Sequence, residues 1–292
     1  MERELWRRMT GALKRLPPTR PRHAVYTDPQ IIAVYLWSVL HDRPVCWACE
    51  RRHWPMQAWR RSLPDQSTMS RRLADPRTQE ILERLLDRLA PVEREALVLR
   101  IDGKALPVAK HSQDRRATIG RGAGGFQKGY KLHAIYARTN RPIAYRITPM
   151  NVDERVVARQ MLHEHQHRLG EGYLLADAHY ESNPLYDQAA KIGRVLVTPR
   201  RFSQAKGLGQ SRIHSVHRIA MIQRMNDPSA FMRRLLHTRR FIETKYANLT
   251  NFGGGLTHLP PWVRGPRVEP YITAKIIIRL ARDAVRATTL AA

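Results

Sequence analysis

Three carboxylates stand where separate elements of the chain should end or turn. Asp102 closes the apolar run ALVLRID, Asp177 closes GYLLAD (172–177), and Glu243 lies in a helical pattern over 229–250. Phosphodiester cleavage without a covalent protein intermediate needs an activated water or hydroxyl in line with a leaving oxygen. Two divalent ions about 3.5–4 Å apart supply both functions. Mg²⁺ prefers oxygen ligands, so acids from several elements must converge on one point. Each acid also has a local role open to it: Asp102 and Asp177 as turn or cap residues, Glu243 as the ion-pair partner of Arg239 or Arg240.

Two other patterns suggest different chemistry. His163-Glu164-His165-Gln166-His167 spells H-E-x-x-H, the arrangement in which two histidines one helical turn apart hold zinc and the glutamate activates water. A helix stop at Gly170 and polar spacer residues favour a polar helix face over a zinc hydrolase. Gly120, Gly122, Gly124 and Gly125 suggest a phosphate loop, but no helix opens at the last glycine, so a flexible loop is expected there. Cys46 and Cys49 form a lone C-x-x-C without a second pair nearby, which reads as two partly buried thiols on a helical segment.

The elements that must position these residues follow from periodicity. Residues 28–41 open with Asp28 as N-cap and Pro29 at the first helical position; residues 75–90 repeat that start and place Ile81, Leu82, Leu85, Leu86 and Leu89 on one face. The first 95 residues therefore read as helical. Within them a turn at 62–65 leads to a short helix, capped by Ser67, that carries Arg71 and Arg72 as candidate DNA contacts. From residue 97 the pattern becomes strand (to Asp102), strand (130–138), strand (141–149), helix (153–169), strand (172–177), helix (183–192) and strand (194–199), with Thr139 and Asn140 at one turn. A basic, weakly patterned stretch, the helix of Glu243, a break at Gly253 to Gly255 and a final apolar helix over 270–287 complete the chain.

Of the 292 residues, 51 are Lys or Arg and 25 Asp or Glu, a net charge of +26, while 42% are hydrophobic, enough for a folded core. Residues 1–23, 104–131 and 191–245 each carry a large basic excess, so the charge is not a tail. Such a surface implies a polyanionic partner. No run approaches 18 apolar residues and the N-terminus lacks the pattern of a signal peptide, so a cytoplasmic, nucleoid-associated protein is expected.

Five blocks, LRIDGK (99–104), GYKLHAIYA (129–137), MNVDER (150–155), LLADAHYES (174–182) and RRFIETKYANL (239–249), together resemble the DDE transposases of bacterial insertion sequences. The resemblance covers roughly residues 60–287. It implies a ribonuclease-H-like α/β domain with a five-stranded mixed sheet over 96–292, including the C-terminal helix, preceded by a helical DNA-binding region over 1–95. It also implies catalytic, metal-holding Asp102, Asp177 and Glu243, two Mg²⁺ ions replaceable by Mn²⁺, double-stranded DNA partners (terminal repeats and target), and a homodimer in the reaction complex. Side chains expected to contact DNA are Arg71, Arg72, Lys104, Lys128, Lys131, Arg239, Arg240 and Lys245. Two places depart from the family pattern. Ala178 and His179 stand where a basic residue and a glycine are usual, and Leu236 and Thr250 replace the Tyr and Lys of a signature that Arg239 and Glu243 otherwise fit. A catalytically inactive, DNA-binding descendant is the alternative reading.

Overall fold

The computed structural model describes residues 2–17, 23–55, 62–93, 96–122, 124–201, 208, 213–251 and 255–290. In chain order the helices are α1 (Glu2–Lys14), α2 (Asp28–Leu40), α3 (Val45–Ala48), α4 (Gln66–Leu73), α5 (Arg77–Leu89), α6 (Glu154–Glu164), α7 (Gln166–Leu169), α8 (Asn183–Lys191), α9 (Val216–Asn226), α10 (Ala230–His237), α11 (Phe241–Asn251) and α12 (Val268–Leu290). The strands are β1 (Val98–Pro107), β2 (Thr118–Gly122), β3 (Gly125–Tyr136), β4 (Pro142–Pro149), β5 (Gly172–Leu175) and β6 (Arg194–Val197). Two compact units result. One comprises Met1–Pro91, His111–Arg116 and Asn248–Ala292; the other comprises Val92–Lys110 and Ala117–Ala247.

The helical unit is built around α12, which packs on α5, α1 and α2. Sequence order had placed this helix with the sheet. Every residue from Tyr271 to Ile278 is buried, so this stretch of α12 leaves no face in water and must be enclosed on all sides, which a helical bundle does. Its buried Lys275 is neutralised by Asp42, which also accepts from the Tyr271 hydroxyl at 3.0 Å. In this unit Trp37 stacks on Trp54 at 4.7 Å, and Trp6 meets both edge-on. Thr27, not Asp28, stands before α2, where its N–H donates to Gln30 at 2.8 Å. Likewise Asp65, not Ser67, caps α4 by accepting from Thr68 N at 2.7 Å. The free Cys46 and Cys49 are half-buried at α3, and burial pushes the Cys49 thiol up to about 11, an unreactive state.

The second unit holds a mixed sheet in the order β2-β3-β1-β5-β6, with β4 on β3. β1, β3 and β4 are antiparallel neighbours, whereas β1, β5 and β6 run parallel. The path β4-β3-β1-β5-β6 is the ribonuclease-H-like arrangement. Leu99, Ile101 and Ile135 of the sheet share a core with Val157, Met161 and Leu162 of α6 and with Leu185 and Ala189 of α8.

Several elements differ from the pattern read in the sequence. The sheet has six strands, because the glycine-rich stretch forms β2 and the start of β3 instead of a loop. Glycines are poor strand formers, but here they let backbones touch: a methyl on Gly129 would lie 2.3 Å from the Leu106 carbonyl oxygen. β1 does not stop at Asp102; it continues to Pro107 because Gly103–Pro107 pair with β3. The helix expected over 153–169 breaks at His165, and the pattern over 229–250 divides into α10, a 3-10 turn at Thr238–Arg240, and α11. Arg100 of β1 donates to the Thr238 carbonyl at that turn, at 2.7 Å. Helix α9 lies in the basic stretch that showed no clear pattern. Gly253 and Gly254 of the expected break lie outside the described residues.

Candidate active site

The register of β1 and β5 brings the two aspartates together. Val98, Leu99 and Arg100 pair with Tyr173, Leu174 and Leu175, so two residues further along each chain Asp102 and Asp177 come level. Each aspartate stands two residues beyond the last β1–β5 pair, and the two are close enough that the Asp177 charge acts on Asp102. β5 ends at Leu175 while β1 continues, and the aspartates occupy the opening where the parallel strands part.

Asp102 is half-buried and accepts from the Gly103 N–H at 2.8 Å. Its carboxyl is pushed up to about 7, chiefly by burial and further by the charges of Asp177 and Glu154, against the Gly103 N–H and Arg239. Asp177 accepts from His179 N at 2.8 Å, starting the 3-10 turn Ala178–Tyr180, and its other oxygen lies 3.2 Å from the His179 ring. The unusual His179 therefore touches the second aspartate directly.

Glu243 is on α11, which a tyrosine fastens to the sheet. The Tyr246 hydroxyl donates to the backbone carbonyl of Asp102 at 2.6 Å, and its ring meets Tyr136 edge-on at 6.0 Å. Burial holds that hydroxyl well above its ordinary pKa, so it stays a donor. Ile242 and Tyr246 are buried, and Glu243, about 100° round from Ile242 at 3.6 residues per turn, is on the flank. There its carboxylate is 58% exposed and bonds Arg239 at 3.2 Å. The helix is in place beside Asp102, but Glu243 itself does not converge on the aspartates; among the described residues no three His, Cys, Asp or Glu side chains form a metal-binding group.

Two participants went unrecognised in the sequence. Glu154, next after the N-cap Asp153 of α6, bonds the buried Lys131 at 2.5 Å and lies against Gly103, where an added methyl would sit 3.1 Å from its carboxylate. Tyr180 is fully buried, feels the charges of Glu154, Asp102 and Asp177, and its hydroxyl has no hydrogen-bond partner among the described residues. A usable signal existed: Asp177 and Glu243 are each followed three residues later by a tyrosine, Tyr180 and Tyr246.

The expected DNA contacts divide by environment. Arg71 and Arg240 are exposed, and Lys104 and Lys128 are half-buried on the sheet. Arg72 forms a buried ion pair with Asp28 and donates to the Tyr26 carbonyl at 2.9 Å; Lys131 is held by Glu154. Lys245 ties α11 to the β3–β4 turn through the Arg138 carbonyl at 2.8 Å and Asn140 at 3.0 Å. The zinc pattern is also resolved: the break at His165 puts His163 and His167 on different helices, while Glu164 is paired with Arg146.

The chain belongs to the family described as Transposase DDE domain, which matches residues 93–261, more than half its length. It is thus a transposase by family. No curated protein matches it. Among solved structures it is similar to a piggyBac transposase synaptic complex with hairpin DNA, at 8% identity and a TM-score of 0.47, over 98% of this chain and 73% of that one.

Proposed function

We propose that this transposase cuts DNA at the ends of its element and joins the freed 3′ hydroxyls to target DNA, using Asp102, Asp177 and Glu243. The observation that carries the reading is the shared register of Asp102 and Asp177 where β1 and β5 part. The donor set suits divalent cations: burial first, and then the charges of Asp177 and Glu154, raise the Asp102 pKa, and the buried Tyr180 hydroxyl beside them has no hydrogen-bond partner among the described residues. Asp102 and Asp177 would hold two Mg²⁺, replaceable by Mn²⁺, with Glu243 as the third carboxylate; the ions supply an activated water and a stabilised leaving oxygen.

The chain's own groups do the positioning. The Gly103 N–H orients Asp102, His179 orients Asp177, and Tyr246 fixes α11 to the Asp102 backbone. Arg239, bonded to Glu243, is the cation a DNA phosphate would draw away, freeing the carboxylate. Arg71, Lys104, Lys128 and Arg240 neutralise phosphates, residues 1–95 recognise the terminal repeat, and two copies join two ends at the bacterial nucleoid.

The test is end cleavage and strand transfer on DNA bearing the element's flanking repeats, with Mg²⁺ and with EDTA. Asp177→Asn, like Asp102→Asn and Glu243→Gln, should abolish metal-dependent products while DNA binding in EDTA persists. Wild-type strand transfer by any one of these variants removes its residue from the catalytic set, and a folded, DNA-binding wild type without products identifies an inactive descendant.

A further inference from the structure

The β2–β3 hairpin carries a surface of which the proposed function uses only Lys128. Cross-strand pairs Ile119↔Lys128 and Arg121↔Phe126 place these four side chains on one face, and Gly120↔Gln127 and Gly122↔Gly125 occupy the other. The second face is sterically closed at Gly120 and crowded at Gly122. A methyl on Gly120 would lie 2.4 Å from the Met150 carbonyl oxygen, and one on Gly122 would lie 3.3 Å from the Ala105 methyl. A one-residue slip that placed Ile119 or Arg121 at the Gly120 position would drive its side chain into the Met150 backbone, which favours the register that exposes them.

The exposed face is unusual in composition. Phe126 is 81% and Ile119 67% exposed, and Arg121, directly across from Phe126, is exposed as well. An apolar pair flanked by cations does not suit a self-pairing sheet edge. Between residues 104 and 131 seven Lys or Arg accompany a single acid, Asp114, which is buried and accepts from the Arg116 and Gly265 N–H groups, each at 3.0 Å. The stretch therefore presents no exposed carboxylate to repel a polyanion. Aromatic rings interleaved with cations are how proteins hold bases and phosphates together, since every base has a π-face.

We infer that this hairpin face is a DNA contact in which Phe126 packs on a nucleobase and Arg121 and Lys128 neutralise adjacent phosphates. The inference rests on the DNA-processing reading but not on its metal site, so it is tested without metal. Binding of a labelled duplex from the element's own end, carrying a single-stranded overhang whose bases are free to stack, is followed by fluorescence anisotropy in EDTA over a range of salt. Phe126→Ala should raise Kd about tenfold with the salt slope unchanged, because a stacking contact releases no counterion, and Phe126→Tyr should restore it. Arg121→Gln should lower the slope by about one. Thermal unfolding of each variant should match wild type, since both side chains are exposed. Wild-type Kd and slope in both variants would overturn the hairpin assignment alone. A shift in sedimentation behaviour in place of DNA affinity would assign the face to self-association and overturn it as well. A wild type that binds no duplex would overturn this inference together with the proposed function.

Discussion

Tyr246→Phe isolates the bond that fastens the Glu243 helix to the sheet. The ring stays packed against Tyr136, while the hydroxyl's 2.6 Å hydrogen bond to the Asp102 carbonyl and its longer 3.5 Å contact with the Leu132 carbonyl are lost. A buried hydrogen bond with no substitute for its partner is worth about 1.4 kcal/mol, so the ratio of docked to undocked α11 should fall about tenfold. Glu243 is on the exposed flank of α11 and inherits its position from that docking. Strand transfer should therefore slow by up to the same factor, while DNA affinity in EDTA holds within about twofold, since no phosphate ligand is touched. Hydrogen exchange of the α11 amides supplies the second readout and should quicken. If exchange quickens but strand transfer does not change, Tyr246 does not position Glu243. If neither changes, the bond contributes nothing to docking.

Two further predictions concern the sheet unit. His133 is buried with one ring nitrogen 2.9 Å from the Thr148 hydroxyl, and burial lowers its pKa from 6.5 to about 4. The folded state thus binds fewer protons than the unfolded one between these values. Stability is full above about pH 6.5 and is lost as pH falls toward 4, by about 2 kcal/mol at pH 5. Urea titrations followed by circular dichroism at pH 7.5 and pH 5 should show this loss in wild type and not in His133→Gln. Tryptophan fluorescence is the internal control, because the described tryptophans, Trp6, Trp37, Trp47, Trp54 and Trp262, fall in the helical unit. Equal pH dependence in the two proteins would refute the assignment.

Arg194 is fully buried and donates to the carbonyls of Ala96 at 2.8 Å, Leu97 at 3.0 Å and Gly170 at 2.8 Å, as well as Leu169. Arg194→Met should destabilise the unit by about 3–5 kcal/mol, and Arg194→Lys should recover little, because an ammonium cannot span these acceptors. Unchanged circular-dichroism melting of either variant would show that the carbonyls find other donors.

The order of strands and helices was legible in the sequence because each element repeats a local period: two along GYLLAD, and helical spacing through Ile81, Leu82, Leu85 and Leu86. The acids at 102, 177 and 243 each had a local role open to them and were singled out by the blocks around them that resemble DDE transposases. Extension of β1 past Asp102 could not be read, since Gly103 looks like a turn and is straightened only by pairing with His133 of β3. The β2–β3 hairpin was hidden because its glycines oppose strand formation locally and are required only by the backbone packed against them.

The sequence alone determined the basic charge, the carboxylates and the alternation of elements, properties carried by each residue and its near neighbours. Tertiary structure decided which groups meet. Asp102 is level with Asp177 through a parallel register, Glu154 reaches Gly103 from another helix, Lys131 and Arg72 are held in ion pairs, and Glu243 rests on Arg239. It also decided that α12, whose residues 271–278 are all buried, leaves its place in chain order to join the N-terminal helices. The reason is physical: contact energies depend on distance in space, and neither strand register nor the destination of a buried helix is encoded at short separation along the chain.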